Sequence, residues 1–188
     1  MHTDPTSELR EILSQYDLGE LLSYEKDVRG TVNTSYTIET ATPGGKKRHF
    51  LRRYKWWIKE EELVFEHSVI THLMQHGFSL VAGVLKTRDG HTYIRREQDG
   101  ESSFYAIFEF LPGEDKYTWI DPICEVSELK SSAVTLARFH QAMAGWEPRG
   151  KRQEPRIVEL LQTIPDKIAA VLDQKKGTVF DAYLKQNK

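Results

Sequence analysis

A single cysteine, Cys124, stands in 188 residues, so no internal disulfide can form and a reducing, cytoplasmic setting is expected. Long hydrophobic runs are missing as well. No apolar stretch approaches the roughly 20 residues of a membrane-spanning helix. The opening Met1-His2-Thr3-Asp4-Pro5 lacks the basic and apolar regions of a secretory signal. Nor is there an excess of one charge: 26 Lys and Arg face 28 Asp and Glu, a net charge of −2. That balance leaves no electrostatic footprint for nucleic acid or an anionic membrane surface, and neither partner is expected. Asparagine occurs only at Asn33 and Asn187, and there is no internal repeat or low-complexity tract. What is present, 39% hydrophobic and 29% charged residues, is ordinary for a globular protein long enough to bury a core.

Two periodicities organise the chain. Ser7 to Tyr16 reads as a short amphipathic helix with Leu9, Ile12 and Leu13 on one side. Thr34 to Thr40 alternates Tyr36, Ile38 and Thr40 against Ser35, Thr37 and Glu39, the period of a half-buried strand. Pro43-Gly44-Gly45-Lys46 is a turn, and His49 to Tyr54 completes a hairpin. Val81 to Lys86, His91 to Arg95 and Phe104 to Phe110 read as three more strands, with turns at Arg88-Asp89-Gly90 and Asp99-Gly100. One helix, about Lys59 to His76, interrupts them and is closed by Gly77. After Pro112-Gly113 only helices are expected. Asp121-Pro122 opens one that runs to about Ala144, and Pro155 opens another that breaks at Pro165. The class is α+β, an antiparallel sheet of about five strands with one helix, followed by helices.

One constellation points to chemistry. On the Lys59–His76 helix, Leu63, Ile70, Leu73 and Met74 share a face, with Glu66 in its middle. A carboxylate buried there requires a cation, unless the helix rotates to give Glu66 to solvent. Arg52 is the candidate, because it shares a strand face with Phe50 and Tyr54. The alternative is a surface arginine in a basic stretch with Lys46, Lys47, Arg48, Arg53 and Lys55. Upstream, Gly30-Thr31-Val32-Asn33-Thr34-Ser35-Tyr36 is either an ordinary hairpin turn or a loop whose N–H groups lie over a polyphosphate. Small-polar loop, strand cation, helix carboxylate, then an apolar strand ending in Pro-Gly is the order of parts in a kinase amino-terminal lobe.

In that order the chain resembles the first half of the aminoglycoside phosphotransferase family, which includes homoserine-kinase-like, fructosamine-kinase-like and choline-kinase-like enzymes. The resemblance covers about residues 20 to 145. It rests on the Gly30–Tyr36 loop, Phe50-Leu51-Arg52-Arg53-Tyr54, Glu66-His67-Ser68-Val69-Ile70-Thr71-His72-Leu73, Phe108-Glu109-Phe110-Leu111-Pro112-Gly113 and Leu136-Ala137-Arg138-Phe139-His140. It implies a protein-kinase-like fold, with residues 1–111 a nucleotide-binding N-lobe and 112–188 the hinge and truncated start of a helical C-lobe. It also implies ATP as cofactor and γ-phosphate transfer to a hydroxyl of a homoserine-, aminoglycoside- or choline-like small molecule. Arg52 takes the place of the strand lysine that meets nucleotide phosphates, and Glu66 would hold it. Arginine there keeps the charge but not the shape. Gly30, Asn33, Thr34 and Ser35 would belong to the nucleotide loop. Main-chain groups of Glu109 and Leu111 would meet the adenine edge, Phe108 would lie behind it, and Val28 and Tyr36 would cover the base or ribose.

The family's chemistry uses a histidine, an aspartate two residues later, an asparagine five beyond that, and a further metal-binding aspartate. Only His2-Thr3-Asp4 has the first spacing, and Leu9 stands where the asparagine belongs. Catalytic residues and Mg²⁺ ligands are therefore absent from this sequence, and the chain alone is expected to be inactive. A second reading is a non-catalytic nucleotide-binding or interaction module. The helices after Gly113 should leave apolar faces uncovered or buried in a homo-oligomer. Other chemistry has less support. His72 and His76, four apart, have no cysteine or His-Glu-x-x-His partner, and Cys124 has no histidine near it in sequence. Trp56-Trp57 reads as loop packing beside the helix or as a partner surface. His140, grouped with Leu129, Ala133, Leu136 and Ala137, reads as a core histidine.

Overall fold

The computed structural model describes residues 4–28, 30–98, 100–113, 116–117, 124–153, 155–173 and 177–186. The chain divides into two units, Met1–Lys151 and Arg152–Lys188. In the first unit the elements are α1 (Thr6–Leu13), β1 (Glu20–Asp27), β2 (Thr34–Thr42), β3 (Gly45–Arg53), α2 (Glu60–Gln75), β4 (Ile94–Gln98), β5 (Glu101–Glu109) and α3 (Val126–Met143). The five strands form one antiparallel sheet in the order β1-β2-β3-β5-β4.

Strand alternation gives this sheet two different faces. On one, Tyr36, Ile38, Leu51, Tyr105 and Ile107 pack with Leu9, Ile12, Leu13 and Tyr16 of the α1 region. On the other, Phe50, Tyr54, Phe104, Ala106 and Phe108 pack with Leu63 and Ile70 of α2. The crossing from α1 into β1 requires glycine. Gly19 has φ +84°, and a Cβ there would fall 1.8 Å from the Ala41 carbonyl oxygen.

Several sequence expectations change. The β2–β3 hairpin is tighter than expected, with pairing continuing to Thr42↔Gly45. Residues 81–86 do not form a strand. They contribute an isolated bridge, Val84↔Phe108, flanked by Leu85 N–H to Ile107 O and Glu109 N–H to Gly83 O, both 2.8 Å. This short segment borders the stretch of β5 beyond Tyr105, where the pairing with β4 ends. The fifth strand is instead β1, whose Glu-Leu-Leu-Ser-Tyr-Glu-Lys-Asp sequence alternates weakly because it is an edge strand with most side chains in solvent.

Helix α2 is rotated from its expected setting. Its fully buried residues are Leu63, His67, His72 and Leu73, while Met74 is exposed and Glu66 sits at the rim. The Asp121-Pro122 cap falls outside the described residues. Helix α3 is capped by Glu125, whose N–H donates to the Glu128 carboxylate at 2.9 Å, and it buries none of its residues. His140 is accordingly exposed on α3, against the edge of Phe139, rather than in a core. Trp56 and Trp57 are also exposed, 80% and 50%, so they are not packed beneath the helix.

The end of α3 and the chain after it are bonded along one side of α2. Lys151 N–H donates to Glu61 O at 3.1 Å, Arg149 N–H to Ser68 Oγ at 3.0 Å, and the His72 ring to Ala142 O at 2.9 Å. Gly150 (φ +77°) passes so close that a Cβ would lie 2.3 Å from the Glu61 carbonyl oxygen. The second unit contains α4 (Ile157–Asp173) and α5 (Val179–Gln186). Pro165 does not break α4 but lies inside it, at the cost of one backbone hydrogen bond. Ile157, Val158, Leu160 and Leu161 of α4 are exposed.

Candidate functional site

The sheet's α2 face opens into a cleft of about 720 Å³. Its walls are the end of β1 with Val28, Thr37 of β2, Phe50 and Arg52 of β3, Glu66 and Ile70 of α2, Val81-Ala82, and Phe108 to Leu111 at the end of β5. Alternation along β3 turns Phe50 and Arg52 this way, and helical spacing brings Glu66 and Ile70 together above them. The expected ion pair forms. Arg52 Nη1 lies 2.8 Å from Glu66 Oε1, with the side chains 27% and 35% exposed. The guanidinium also lies 5.0 Å from the ring centre of Phe108, 5.6 Å from Tyr54 and 5.8 Å from Phe50, within cation–π range of all three. A planar cation suits this three-sided aromatic setting better than an ammonium would.

Behind the pair is a polar chain that the sequence reading did not identify. The Tyr54 hydroxyl lies 2.9 Å from His67 Nε2, and His67 Nδ1 lies 2.8 Å from Thr92 Oγ1. Burial pushes the Tyr54 phenol well above its ordinary range, with the Glu66 carboxylate adding to the effect. Burial first, and the Arg52 charge second, lower the His67 pKa to about 4, so the ring is neutral at physiological pH. The available signal was the i, i+4 relation of Leu63 and His67, which puts both on α2's inner face.

The other expected site residues are distributed unevenly. Val28, Phe108, Glu109 and Leu111 line the cleft with Arg52 and Glu66. Tyr36 does not. It is buried on the opposite, α1 face beside Tyr24, because it alternates with Thr37, which does line the cleft. Asn33 Oδ1 accepts the Lys55 N–H at 2.9 Å, so this side chain anchors the β1–β2 loop to the end of β3. Ser35 is buried opposite Arg52 in the ladder, and Thr34 pairs with Arg53. A Cβ added at Gly30 would make ordinary van der Waals contact with Asn33 O, at 3.5 Å. The Glu109 N–H is taken by Gly83, and its carboxylate accepts the Gly83 N–H at 3.2 Å.

The cleft lining combines two cations, Lys26 and Arg52, with four carboxylates, Glu25, Asp27, Glu66 and Glu109, and the aromatic rings of Phe50, Phe108 and Phe110. Among the described residues no three His, Cys, Asp or Glu side chains cluster to hold a metal ion. The His72 and His76 rings are tilted against each other by 33° with centres 4.0 Å apart, and His76 Nδ1 is 2.8 Å from His72 O. Cys124 is free and exposed.

Comparison with known proteins gives a consistent picture. The model of the phosphotransferase enzyme family matches residues 24–185. A homoserine kinase of Bradyrhizobium diazoefficiens is 30% identical, over 98% of this chain and 56% of that protein. A homoserine kinase of Nitrobacter hamburgensis is 35% identical, over 92% of this chain and 53% of its own length. The chain thus spans about half the length of the curated relatives it matches. Two solved structures share the fold with a TM-score of 0.63. One is an amicoumacin kinase in complex with AMP-PNP, Ca²⁺ and Ami, at 22% identity over 95% of this chain and 57% of that one. The other is a microcompartment-associated aminopropanol kinase, at 15% identity over 89% and 54%.

Proposed function

Because the chain belongs to the phosphotransferase enzyme family, we propose that its cleft holds ATP and that residues 1–111 act as the nucleotide-binding lobe of a small-molecule kinase. The observation that carries this reading is the 2.8 Å Arg52–Glu66 pair in the wall of a cleft that ends at Glu109–Leu111. Glu66 fixes one side of the guanidinium and leaves its remaining N–H groups to meet phosphate oxygens. The Glu109 N–H is already bonded to Gly83, which leaves its carbonyl and the Leu111 N–H for the adenine edge. Phe108 lies behind the base and Val28 covers it. The Asn33–Lys55 bond holds the β1–β2 loop and its Gly30 at the cleft's edge, for contact with phosphate.

The acceptor we favour is the hydroxyl of a homoserine-like molecule, because the relatives named above are homoserine kinases. Mg²⁺ would neutralise phosphate charge when bound, but among the described residues no group of three His, Cys, Asp or Glu side chains could hold it. The sequence also lacks the aspartate and asparagine that the family uses for transfer. This absence favours the reading that these 188 residues bind nucleotide without turning it over. The exposed free Cys124 supports a cytoplasmic setting.

Calorimetric titration with ATP and ADP tests the cleft, with phosphoryl transfer to homoserine assayed in parallel. We expect saturable binding, weakened about tenfold or more by Arg52→Ala, the loss of a charged hydrogen-bond donor. Absence of binding would remove the nucleotide reading. Turnover by the 188-residue chain would remove the non-catalytic one.

A further inference from the structure

A second cavity, of about 530 Å³, lies against another flank of α2, bordered by Ser68, Thr71 and His72 of the helix, Lys86 and the stretch Gly90 to Tyr93, and Trp146 and Arg149 from the chain after α3. Its polar groups fall into two sets. The first is satisfied within the protein. Ser68 Oγ bonds Phe65 O and the Arg149 N–H, Thr71 Oγ1 donates to His67 O at 2.7 Å, Thr92 Oγ1 meets His67, and the Tyr93 hydroxyl donates to Glu60. The second set comprises the side chains of Gln75, Lys86, His91 and Arg149, which make no hydrogen bond or ion pair among the described residues. Every member of that set can donate, two carry a fixed positive charge, and no carboxylate among the described residues lines the cavity.

Elsewhere in this unit Arg52, Arg53, Arg88, Arg95 and Arg96 each meet a carboxylate of the protein itself, while Lys26, Lys130 and Arg138 meet none among the described residues. The cavity leaves its cations unmatched around a concave space, with the Trp146 ring stacked on His72 at 4.1 Å as an apolar wall. We propose that this cavity is a second ligand site, for a small phosphate-bearing anion held by Lys86 and Arg149, with His91 and Gln75 as further donors. The volume is well beyond that of a lone phosphate ion, and the Trp146 wall leaves room for a small organic body attached to it. The site is separate from the nucleotide cleft and does not depend on that cleft's function.

Calorimetric titration of the full chain in phosphate-free buffer, with inorganic phosphate and with glycerol phosphate as probes, tests the assignment. We expect saturable binding, weakened about tenfold or more by Arg149→Gln and by Lys86→Gln, kept by Arg149→Lys, and unaffected by Arg52→Gln. Both cavity cations are exposed, so their variants should fold, as circular dichroism will check. Tighter binding of the ester assigns the site to a phosphorylated metabolite, and equal or tighter binding of phosphate assigns it to the free ion. The proposal is overturned if neither probe binds saturably, if binding survives the loss of Lys86 and Arg149 together, or if Arg52→Gln abolishes it. Wild-type chain that binds phosphate but not ADP would retire the nucleotide reading and leave this one standing.

Discussion

On its α1 side the sheet is covered by Leu9, Ile12, Leu13 and Tyr16 over Ile38, Leu51 and Ile107, with Thr40 and His49 as a polar pair within it. The same side carries a polar cavity of about 630 Å³ lined by Glu8, Tyr36, Arg53, Arg96 and Tyr105. On its α2 side, equally aromatic and apolar, an arginine, a carboxylate, a phenol and an imidazole are threaded through the packing, and the layer opens into a cleft. The strands are the same and differ only in which alternate residues they present. Stability should therefore be concentrated in the apolar layer under α1, while the Arg52–Glu66 pair and the cleft around it belong to the α2 side. The polar groups of the open face are kept because the packing around them is incomplete enough to leave them partners and solvent.

Four measurements can break or sharpen that contrast. Leu51→Ala or Ile38→Ala removes a fully buried side chain from the layer under α1 and should cost about 2–5 kcal/mol in urea unfolding. Nucleotide affinity of the folded fraction should stay unchanged. The next effect is pH dependence on the open face. The His67 pKa falls from 6.5 to about 4 on folding, so its contribution is fully present above pH 6.5 and is lost as pH falls toward 4. The unfolded chain binds that proton first, and the difference amounts to about 3 kcal/mol. His67→Gln should remove this component from the stability–pH profile, and a profile identical to wild type would contradict a buried neutral ring.

A smaller effect is expected for the ion pair. With both side chains about a third exposed, Glu66→Gln and Arg52→Gln should each change stability by about 1 kcal/mol or less. A double-mutant cycle would expose any larger coupling. Their effect should appear in nucleotide affinity instead, and a large stability loss with intact affinity would reverse the roles assigned to the two faces. Smallest of all, Leu129→Ser on α3, where no residue is buried, should stay within about 0.5 kcal/mol of wild type by thermal unfolding.

The sequence made the strongly periodic parts legible. The β2–β3 hairpin, α2 and the meeting of Arg52 with Glu66 follow from alternation on one element and a 3.6-residue repeat on the other. Where periodicity is weak, other physics decides. β1 is an edge strand with little buried on either side, so its residues carry almost no pattern. The segment 81–86 looks apolar enough for a strand, yet only Val84 and its neighbours reach β5. Glu66 meets the partner expected from the pattern but sits shallower than the pattern predicts, because the helix presents His67 rather than Met74 inward. His67 and Thr92 lie 25 residues apart and are joined only by the tertiary fold. Tyr36 shows the opposite difficulty. Its alternation was visible, but whether its face opened to a cleft or closed against α1 depended on a helix 20 or more residues upstream.

The run of contacts that α2 makes with the end of α3 and the chain after it has a kinematic consequence. Glu61, Phe65, Ser68 and His72, the points of contact, follow one another at three- and four-residue steps along the helix. They therefore form a seam along almost the whole axis rather than a hinge at one end. A helix fixed at one end can swing and carry its carboxylate away from the strand cation. A helix stitched along its length can only slide or turn together with the segment stitched to it. Separation of Glu66 from Arg52 by movement of the helix thus requires displacement of residues 142–151 as well, which couples the ion pair to a second segment. Gly150 is the tightest stitch, since no other residue could adopt its backbone conformation and lie so near the Glu61 carbonyl.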